Sequence, residues 1–486
     1  MATEDAKLSR AEWGTRFGFL MAMIGAMVGV GNIWRFPFVT GENGGGAFIL
    51  AFLILLFLIM IPGLMLEVAL GRYTGKGVIG AIRGATGPGA AVGIGLIVIV
   101  INIGLMSYYS PVVGWTLYYM LHSFMFTFTG AEFEAGVFLG DLFDDPATMI
   151  ALHTVVMATI AGVLYMGITR GIERLVVYAV PLLVLALVAI VIRALTLPGA
   201  GEGLEFTFTV EWEFLTFAST WQEALAQALF STGLGWGIAI TVGSYLREYD
   251  DVPLGGGVFT AVGEASIGIL AAFAIFPLVF AYGVSPDVGA GLTFEALPQV
   301  FQEMPAGWFW AIIFFVGFFL AAITSAVIIT EVGVTTVSEE TSLSREQSVL
   351  GICGLIWLIG IPSAYDVNIL EFGDDTFALW GLPLATLAIV IAVGWFLGPE
   401  KLRVMAVNRN SGIYVGRWWN PIVKYVIPIV MIAIMAAFAW DFYGEDIMIA
   451  GMVLVVVLPI VSFAVMWYVE GRRETPPRTG PIGGDD

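Results

Sequence analysis

Twelve stretches of at least 16 residues contain no Asp, Glu, Lys or Arg: 17–34, 43–66, 84–131, 146–169, 175–192, 224–246, 265–286, 304–330, 347–365, 376–399, 425–440 and 447–469. A helix needs about 20 such residues to cross a hydrocarbon layer about 30 Å thick. Soluble domains carry about 25% charged residues. Here charged residues are 12% and hydrophobic ones 59% of 486 residues, too few charges to cover the roughly three soluble domains that this length would allow. The chain is therefore read as a polytopic membrane protein. Lys+Arg at 20 against Asp+Glu at 39, a net charge of −19, disfavours nucleic-acid binding. A single cysteine, Cys353, excludes an internal disulfide and a cysteine-clustered metal site. His122 and His153 are too far apart in sequence to form a ligand pair at helical spacing.

The stretch 84–131 is too long for one ordinary span, so its parity is argued from its flanks. Arg72, Lys76 and Arg83 precede it, and Glu132, Glu134, Asp141, Asp144 and Asp145 follow it. An odd number of crossings fits that asymmetry, read as one long helix over about 90–123. With both termini in the cytoplasm, 18 of the 20 basic residues fall inside, the exceptions being Arg35 and Arg193. The outside loops at about 124–146, 199–222, 285–303 and 441–446 then hold acids and no Lys or Arg. This agreement with the positive-inside rule predicts twelve helices in the cell membrane with both ends cytoplasmic. The first apolar segment carries "GNIWRFP" rather than a small-residue cleavage site, so no cleaved signal peptide is expected. The acid excess reads either as an ordinary solvated surface or as adaptation to high salt, and a halophilic or salt-tolerant prokaryotic source is favoured. The tail "RTGPIGGDD" is polar and expected to be disordered.

Two spans look interrupted. The first reads Gly25-Ala26-Met27-Val28-Gly29-Val30-Gly31-Asn32, followed by Arg35 and Pro37. The sixth reads Gln227-Ala228-Leu229-Phe230-Ser231-Thr232-Gly233-Leu234-Gly235-Trp236-Gly237. Clustered glycine in a membrane helix serves either close helix packing or an opened backbone. Here the clusters open two five-helix halves, about 13–197 and 222–398, with polar Asn32 and Ser231 beside them. Broken helices at corresponding positions of two halves point to a midplane site in a secondary transporter, where freed carbonyls bind cations and half-helix N-termini attract a carboxylate.

"WGTRFGFLMAMIGAMVGVGNIWRFPFVTGENGGGAF" strongly resembles the first-helix signature of the neurotransmitter:sodium symporter family. The resemblance continues through "LEVALGRYTGK" (66–76), "GITRGIERL" (167–175), "FSTGLGWG" (230–237), "GSYL" (243–246) and "AAITSAV" (321–327), covering roughly residues 10–470. It implies an all-α integral membrane fold of twelve transmembrane helices. Two inverted five-helix repeats, with helices 1 and 6 broken, are joined by the 198–221 loop. They are followed by helices 11 and 12 over 399–470, with a cytoplasmic segment 1–12 and a tail 471–486 at the ends. It also implies coupling of Na+ entry to uptake of small amino acids or amines.

The site residues that follow are implied by the resemblance. One sodium site takes the carbonyls of Gly25 and Val28 with Ala321, Thr324 and Ser325, a set of neutral hard oxygens. Thr324 and Ser325 at these positions also suit simple bonding back to their own helix. The other sodium site takes the Met27 carbonyl, Asn32, Ser231 and a seventh-helix ligand. An ungapped count puts Gly263 there. Alignment backwards from "FAIFP" (273–277) puts Glu264 there and is preferred, since an intramembrane carboxylate is costly and usually functional. Tyr109 is expected to bond a substrate carboxylate. Ala26, Val30, Gly31, Leu105, Phe230, Ser231, Gly233, Trp236, Ser325 and Ile329 are expected to complete the substrate site, whose mostly apolar lining suits a neutral side chain. Monoamine members of the family carry aspartate where Gly29 stands, so glycine favours an amino acid. Glu264 would supply the negative charge that chloride provides in animal relatives, so chloride is not expected to be required.

Outside, Arg35 is expected to face Asp374, with Asp375 adjacent and Tyr109 and Phe230 as a lid. Inside, Arg10 is expected to pair with Glu339, supported by Trp13, Ser244 and Tyr245. Ordinary solvated charge is the competing reading for Arg10 and Glu339. Glu67 is expected to satisfy backbone groups near a helix break. Glu331 has no role assigned, being read as either protonated and buried or facing an aqueous path. The leading reading is a sodium-coupled symporter of a neutral amino acid, not an enzyme. The alternatives are a betaine- or taurine-like osmolyte transporter and, less favoured, an ion channel, for which no carbonyl filter or charged ring is seen. A membrane enzyme lacks a histidine–carboxylate, cysteine or serine constellation. Oligomeric state and the particular substrate are left open by the sequence.

Overall fold

The structure, a computed structural model, describes residues 12–441 except 131, 248–249, 284 and 286–290. Arg10, the proposed twelfth helix and the C-terminal tail lie outside the described residues. Nine of the described helices are long and apolar enough to cross a membrane: Gly46–Thr74, Ala91–Phe124, Pro146–Tyr165, Ile168–Leu195, Val252–Ala281, Gly307–Glu340, Arg345–Tyr365, Val367–Leu397 and Trp419–Ala437. A tenth is the bent pair Arg16–Met27 and Gly31–Glu42, whose halves meet at 54°. Ala218–Thr232 and Ile238–Gly243 form a second interrupted helix. No strand is present among the described residues apart from an isolated bridge between Gly45 and Val210. The long helix expected over about 90–123 is continuous over Pro88–Phe124, with Pro111 inside it.

Helix boundaries follow local chemistry. Thr15 caps the first helix by accepting the Gly18 N–H, and Asp145 caps Pro146–Tyr165 through the Thr148 N–H. Ser344 and Gln347 form a reciprocal capping box at the start of Arg345–Tyr365. The acidic connections are more ordered than a loop reading suggests, because Ala135–Phe143, Ala200–Phe208 and Leu297–Glu303 are short helices. Ala200–Phe208 packs on Phe259–Ala281, and a Cβ at Gly203 would lie 2.6 Å from the Phe276 backbone. At the opposite, basic face, the Arg403 guanidinium and Asn420 bind Glu400 and hold its carboxyl down to about 2.

The core runs through the middle of the bundle. Gly307–Glu340 packs along Pro88–Phe124 and Arg174–Leu195, and the first broken helix leans on Arg174–Leu195, Gly307–Glu340 and Phe259–Ala281. Two buried carboxylates tie the basic end of this bundle together. Glu173 accepts the Gly14 N–H (2.8 Å), the Thr15 N–H (3.2 Å) and the Thr15 hydroxyl (3.0 Å), anchoring the entry to the first helix. Arg345 grips Glu331 with both terminal nitrogens at 2.7 and 2.9 Å. Tyr245 Oη and Thr335 Oγ1 add their hydroxyls to the same Oε1, each at 2.9 Å. Glu331 is therefore not water-facing: it is a buried, ion-paired junction joined by Arg345, Tyr245 and Thr335.

Removing one member of a buried pair leaves the other charge without compensation, at a cost of about 3–5 kcal/mol. Arg345 keeps 30% of its side chain exposed, so Glu331→Gln is expected to cost about 2–3 kcal/mol. The measurement is thermal melting in detergent. An unchanged melting temperature would mean that water already supplies the compensation.

Candidate functional site

The first helix ends because Val28 turns to extended backbone (φ −85°, ψ 106°) after donating its N–H to Ile24. Gly29 and Val30 cross the break, and a wide π-helical turn, Gly31–Arg35, starts the second half. Backbone groups opened in a membrane must find partners inside the protein, and several here find named ones. Asn32 Oδ1 accepts the Gly29 N–H at 3.1 Å, and Tyr109 Oη accepts the Val30 N–H at 3.2 Å. Gln227 Nε2 donates to the Gly31 carbonyl at 2.9 Å. The second break uses Gly233, Gly235 and Gly237 at φ +64°, +85° and +78°, a conformation that side chains resist. Glu67 Oε1 accepts the Gly235 N–H at 2.9 Å, and Asn102 Nδ2 donates to the Trp236 carbonyl at 3.1 Å.

Two oxygen clusters flank these breaks. In the first, Ser325 Oγ lies 3.1 Å from the Gly25 carbonyl, 2.8 Å from that of Val28 and 3.3 Å from that of Ala321. Thr324 Oγ1 reaches the same Ala321 carbonyl at 2.9 Å. Ser325 thus joins Gly25, Val28 and Ala321, while Thr324 bonds back to its own helix, to the Leu320 and Ala321 carbonyls. In the second, Asn32 Nδ2 donates to Glu264 Oε1 at 2.7 Å and to its carbonyl at 3.3 Å. Ser231 lies beside the same carboxyl. Yet neither Ser231 Oγ nor Glu264 Oε2 has a hydrogen-bond partner, although Glu264 is fully buried. Glu264, not Gly263, faces Asn32; a Cβ at Gly263 would meet Ile24 instead. Hard neutral or anionic oxygens without thiolate or imidazole form a donor set suited to a hard cation. Groups of three or more His, Cys, Asp or Glu able to hold a metal are absent among the described residues.

Between the clusters lies a cavity with about 250 Å³ not filled by atoms. Ala26, Gly31, Tyr109, Phe230, Ser231, Gly233, Trp236, Ser325 and Ile329 line it, joined by Met27, Gly29 and Ile238. Val30 and Leu105 are buried but do not reach its wall. Phe230 stands 6.4 Å from Tyr109 and 5.3 Å from Trp236 between ring centroids, closing one end with aromatic surface.

Beyond Phe230, Arg35 pairs differently from the sequence expectation. Its guanidinium binds Glu223 at 2.8 Å and Gln227 at 3.0 Å. Asp374 belongs to the same group of charges but forms no ion pair with Arg35. Glu223 and Gln227 are one turn apart on one helix face, so together they present a carboxylate and an amide oxygen to a single guanidinium. On the other side, Trp13 donates to the Val242 carbonyl at 3.2 Å and packs edge-on against Tyr245. Ser244 Oγ donates to the Thr241 carbonyl, and Glu339 accepts the Gly77 N–H at 2.9 Å.

Sequence reasoning assigned no role to Asn102, Glu173, Glu223, Gln227 or Arg345. For Glu223 and Gln227 a signal existed: a charge within a span, Arg35, demands a carboxylate from a neighbouring helix.

The profile of the sodium:neurotransmitter symporter family matches residues 10–136 and 133–468. An uncharacterized sodium-dependent transporter of Methanocaldococcus jannaschii is 30% identical over 459 residues, covering 88% of this chain and 90% of its own. One from Haemophilus influenzae is 32% identical over 448 residues, covering 87% and 97%. The crystal structure of MhsT in complex with L-phenylalanine superposes with a TM-score of 0.81 at 32% identity, covering 88% of this chain and 99% of MhsT. The chain belongs to the sodium:neurotransmitter symporter family. It is a multi-pass membrane protein and a sodium-dependent transporter, of a family of secondary transporters rather than enzymes.

Gly29 is the tightest point of the site. A Cβ there would lie 2.5 Å from Tyr109 Oη and 2.6 Å from Ser325 Oγ. Gly29→Ala is expected to push both hydroxyls away from the break and to cost about 1–3 kcal/mol. Gly140→Ala, where a Cβ meets nothing within 4 Å, is expected to stay within about 0.5 kcal/mol of the parent. Thermal melting of the two variants side by side checks this, and equal effects would show that the break has room for a methyl group.

Proposed function

We propose that the protein is a symporter that couples sodium entry to the uptake of a neutral amino acid by alternating access to the central cavity. The observation that carries this reading is the convergence of Ser325 on the carbonyls of Gly25, Val28 and Ala321, next to a cavity walled by Tyr109 and the two helix breaks. Two sodium sites are proposed: Gly25, Val28, Ala321, Thr324 and Ser325 form one, and Met27, Asn32, Ser231 and Glu264 form the other. On arrival of an ion, the Ser325 hydroxyl has only to rotate its proton away to offer a lone pair in place of a donated bond.

The substrate carboxylate is assigned to Tyr109 Oη and the N–H groups of the first break, where a half-helix begins and its dipole favours negative charge. A neutral side chain fits beside Phe230, Trp236 and Ile329, because the wall carries no Asp, Glu, Lys, Arg or His. The cavity is small and closed at one end by Phe230 and Trp236, which favours a single amino acid over anything longer. MhsT, which was solved with L-phenylalanine, supports an amino acid as the substrate class. The proposed frame is twelve helices in the cell membrane, both ends cytoplasmic, with residues 13–197 and 222–398 as inverted repeats that rock about the site. Arg35 with Glu223 and Gln227 serves as the outer gate in this scheme, and Tyr245 belongs to the inner one.

Protein reconstituted in liposomes is expected to take up one or more neutral amino acids when Na+ is outside, and poorly when K+ replaces it. Betaine and taurine in the same panel test the osmolyte reading. Equal uptake in the two salts would remove the symport assignment. Thr324→Ala with Ser325→Ala is expected to raise the sodium concentration needed for half-maximal uptake while leaving a monodisperse protein.

Glu264 places a carboxylate beside Asn32 and Ser231 without chloride's help. Uptake by the parent is therefore expected to be indifferent to replacement of chloride by gluconate. Glu264→Ser is expected either to abolish uptake or to make it depend on chloride. Normal chloride-free uptake by this variant would mean that another group balances the sodium charge.

A further inference from the structure

A second groove, open along one side, lies away from the central cavity, between Pro146–Tyr165, Ile168–Leu195 and Gly307–Glu340. Its walls are mostly hydrocarbon, from Val163, Leu175, Leu182 and Leu320 among others, and Arg170 and Arg174 stand at one end. These arginines are four residues apart in the first turns of a span, so they share one helix face. Both are exposed, and among the described residues neither makes an ion pair or a side-chain hydrogen bond. Glu173, the acid between them in sequence, does not neutralise them: it is buried and turned onto Gly14 and Thr15. Thr169 is turned toward the same entry segment, donating to the Glu12 carbonyl.

Two uncompensated guanidinium groups at the end of an apolar groove on a bilayer-facing surface make an amphipathic receptor with a fixed sense. The groove wants hydrocarbon, and its mouth wants a doubly hydrogen-bonded anion such as a phosphate oxyanion pair. A free phosphate satisfies only the mouth, whereas a lipid with a net negative headgroup satisfies both at the depth where headgroup meets acyl chain. We propose that this groove is a binding site for one anionic phospholipid, its phosphate held by Arg170 and Arg174 and an acyl chain lying between Leu175, Leu182 and Leu320. The occupant touches the helix that carries Thr324, because the Leu320 carbonyl accepts the Thr324 hydroxyl at 2.9 Å. The site is independent of the transport reading, since it uses none of the residues around the central cavity.

The test is native mass spectrometry of the full chain, released from nanodiscs of phosphatidylglycerol and phosphatidylcholine mixed equally. The parent is expected to retain one phosphatidylglycerol in preference to phosphatidylcholine. In R170Q/R174Q that preference is expected to fall about 30-fold, at about fivefold for each basic residue near an anionic surface. R170K/R174K is expected to recover most of it. Both arginines are exposed, so the variants should fold as the parent does, which their monodispersity and melting temperature check. A preference for phosphatidylglycerol that survives R170Q/R174Q, or equal retention of the two lipids by the parent, would overturn the proposal. So would loss of bound phosphatidylglycerol to added inorganic phosphate at millimolar concentration, because it would show that the groove adds nothing to the mouth.

Discussion

A helix opened inside a bilayer has no water to satisfy the backbone it exposes, and the centre of this protein is organised around that constraint. The first break alone recruits Asn32, Tyr109, Gln227 and Ser325. The second recruits Glu67 and Asn102. Those partners come from three other helices and from the breaks' own halves. Satisfying the backbone therefore draws together the walls of a cavity and the two oxygen clusters beside it. In the proposed sodium-coupled scheme, the carbonyls that the Ser325 hydroxyl now satisfies are the ones offered to an ion.

Buried ionisable groups divide by how completely they are answered. Glu331 receives two nitrogens from Arg345 and hydroxyls from Tyr245 and Thr335, and Glu173 receives two N–H groups and a hydroxyl. Such sites hold helices in register and have no capacity left for a ligand. Glu264 is answered only in part: Asn32 binds one of its oxygens, while the other, like Glu67 Oε2, meets no geometric hydrogen-bond partner. A buried polar atom left open is a place where an ion or a water can be held. Arg35 lies between these cases. It is ion-paired, but to a half-exposed Glu223 on the interrupted helix itself, so its bond is tied to the position of that helix.

The two faces of the molecule divide the work in the same way. The basic face holds its charges in networks, as in Arg403 with Glu400 and Tyr414, or Arg247 with Asp250 and the Gly14 carbonyl. Arg170 and Arg174 stand outside those networks and next to apolar surface. A surface charge costs little when water covers it, but a pair fixed beside a hydrocarbon groove gives the lipid a preferred place and orientation.

By itself the sequence determined the solvent of this protein, because twelve charge-free stretches with basic residues at alternate ends admit little else. It determined the breaks as well, since Gly25, Gly29, Gly31, Gly233, Gly235 and Gly237 cluster where a helix gains nothing from glycine. The chemistry of both oxygen clusters was legible from residue type and from resemblance, including the choice of Glu264 over Gly263. Only the tertiary structure decided which long side chain meets which. Arg35 had carboxylates within reach on two helices, and the helix rotation that puts Glu223 and Gln227 on one face settled the pairing against Asp374. Glu331 had no role in the sequence because its partner, Arg345, sits across a loop and reads there as an ordinary surface charge. Val30 and Leu105 were read as wall residues; both are buried but do not line the central cavity. Periodicity fixes which face of a helix is apolar; it does not fix how far that helix is rotated against its neighbours, and at this site the rotation selects the partners.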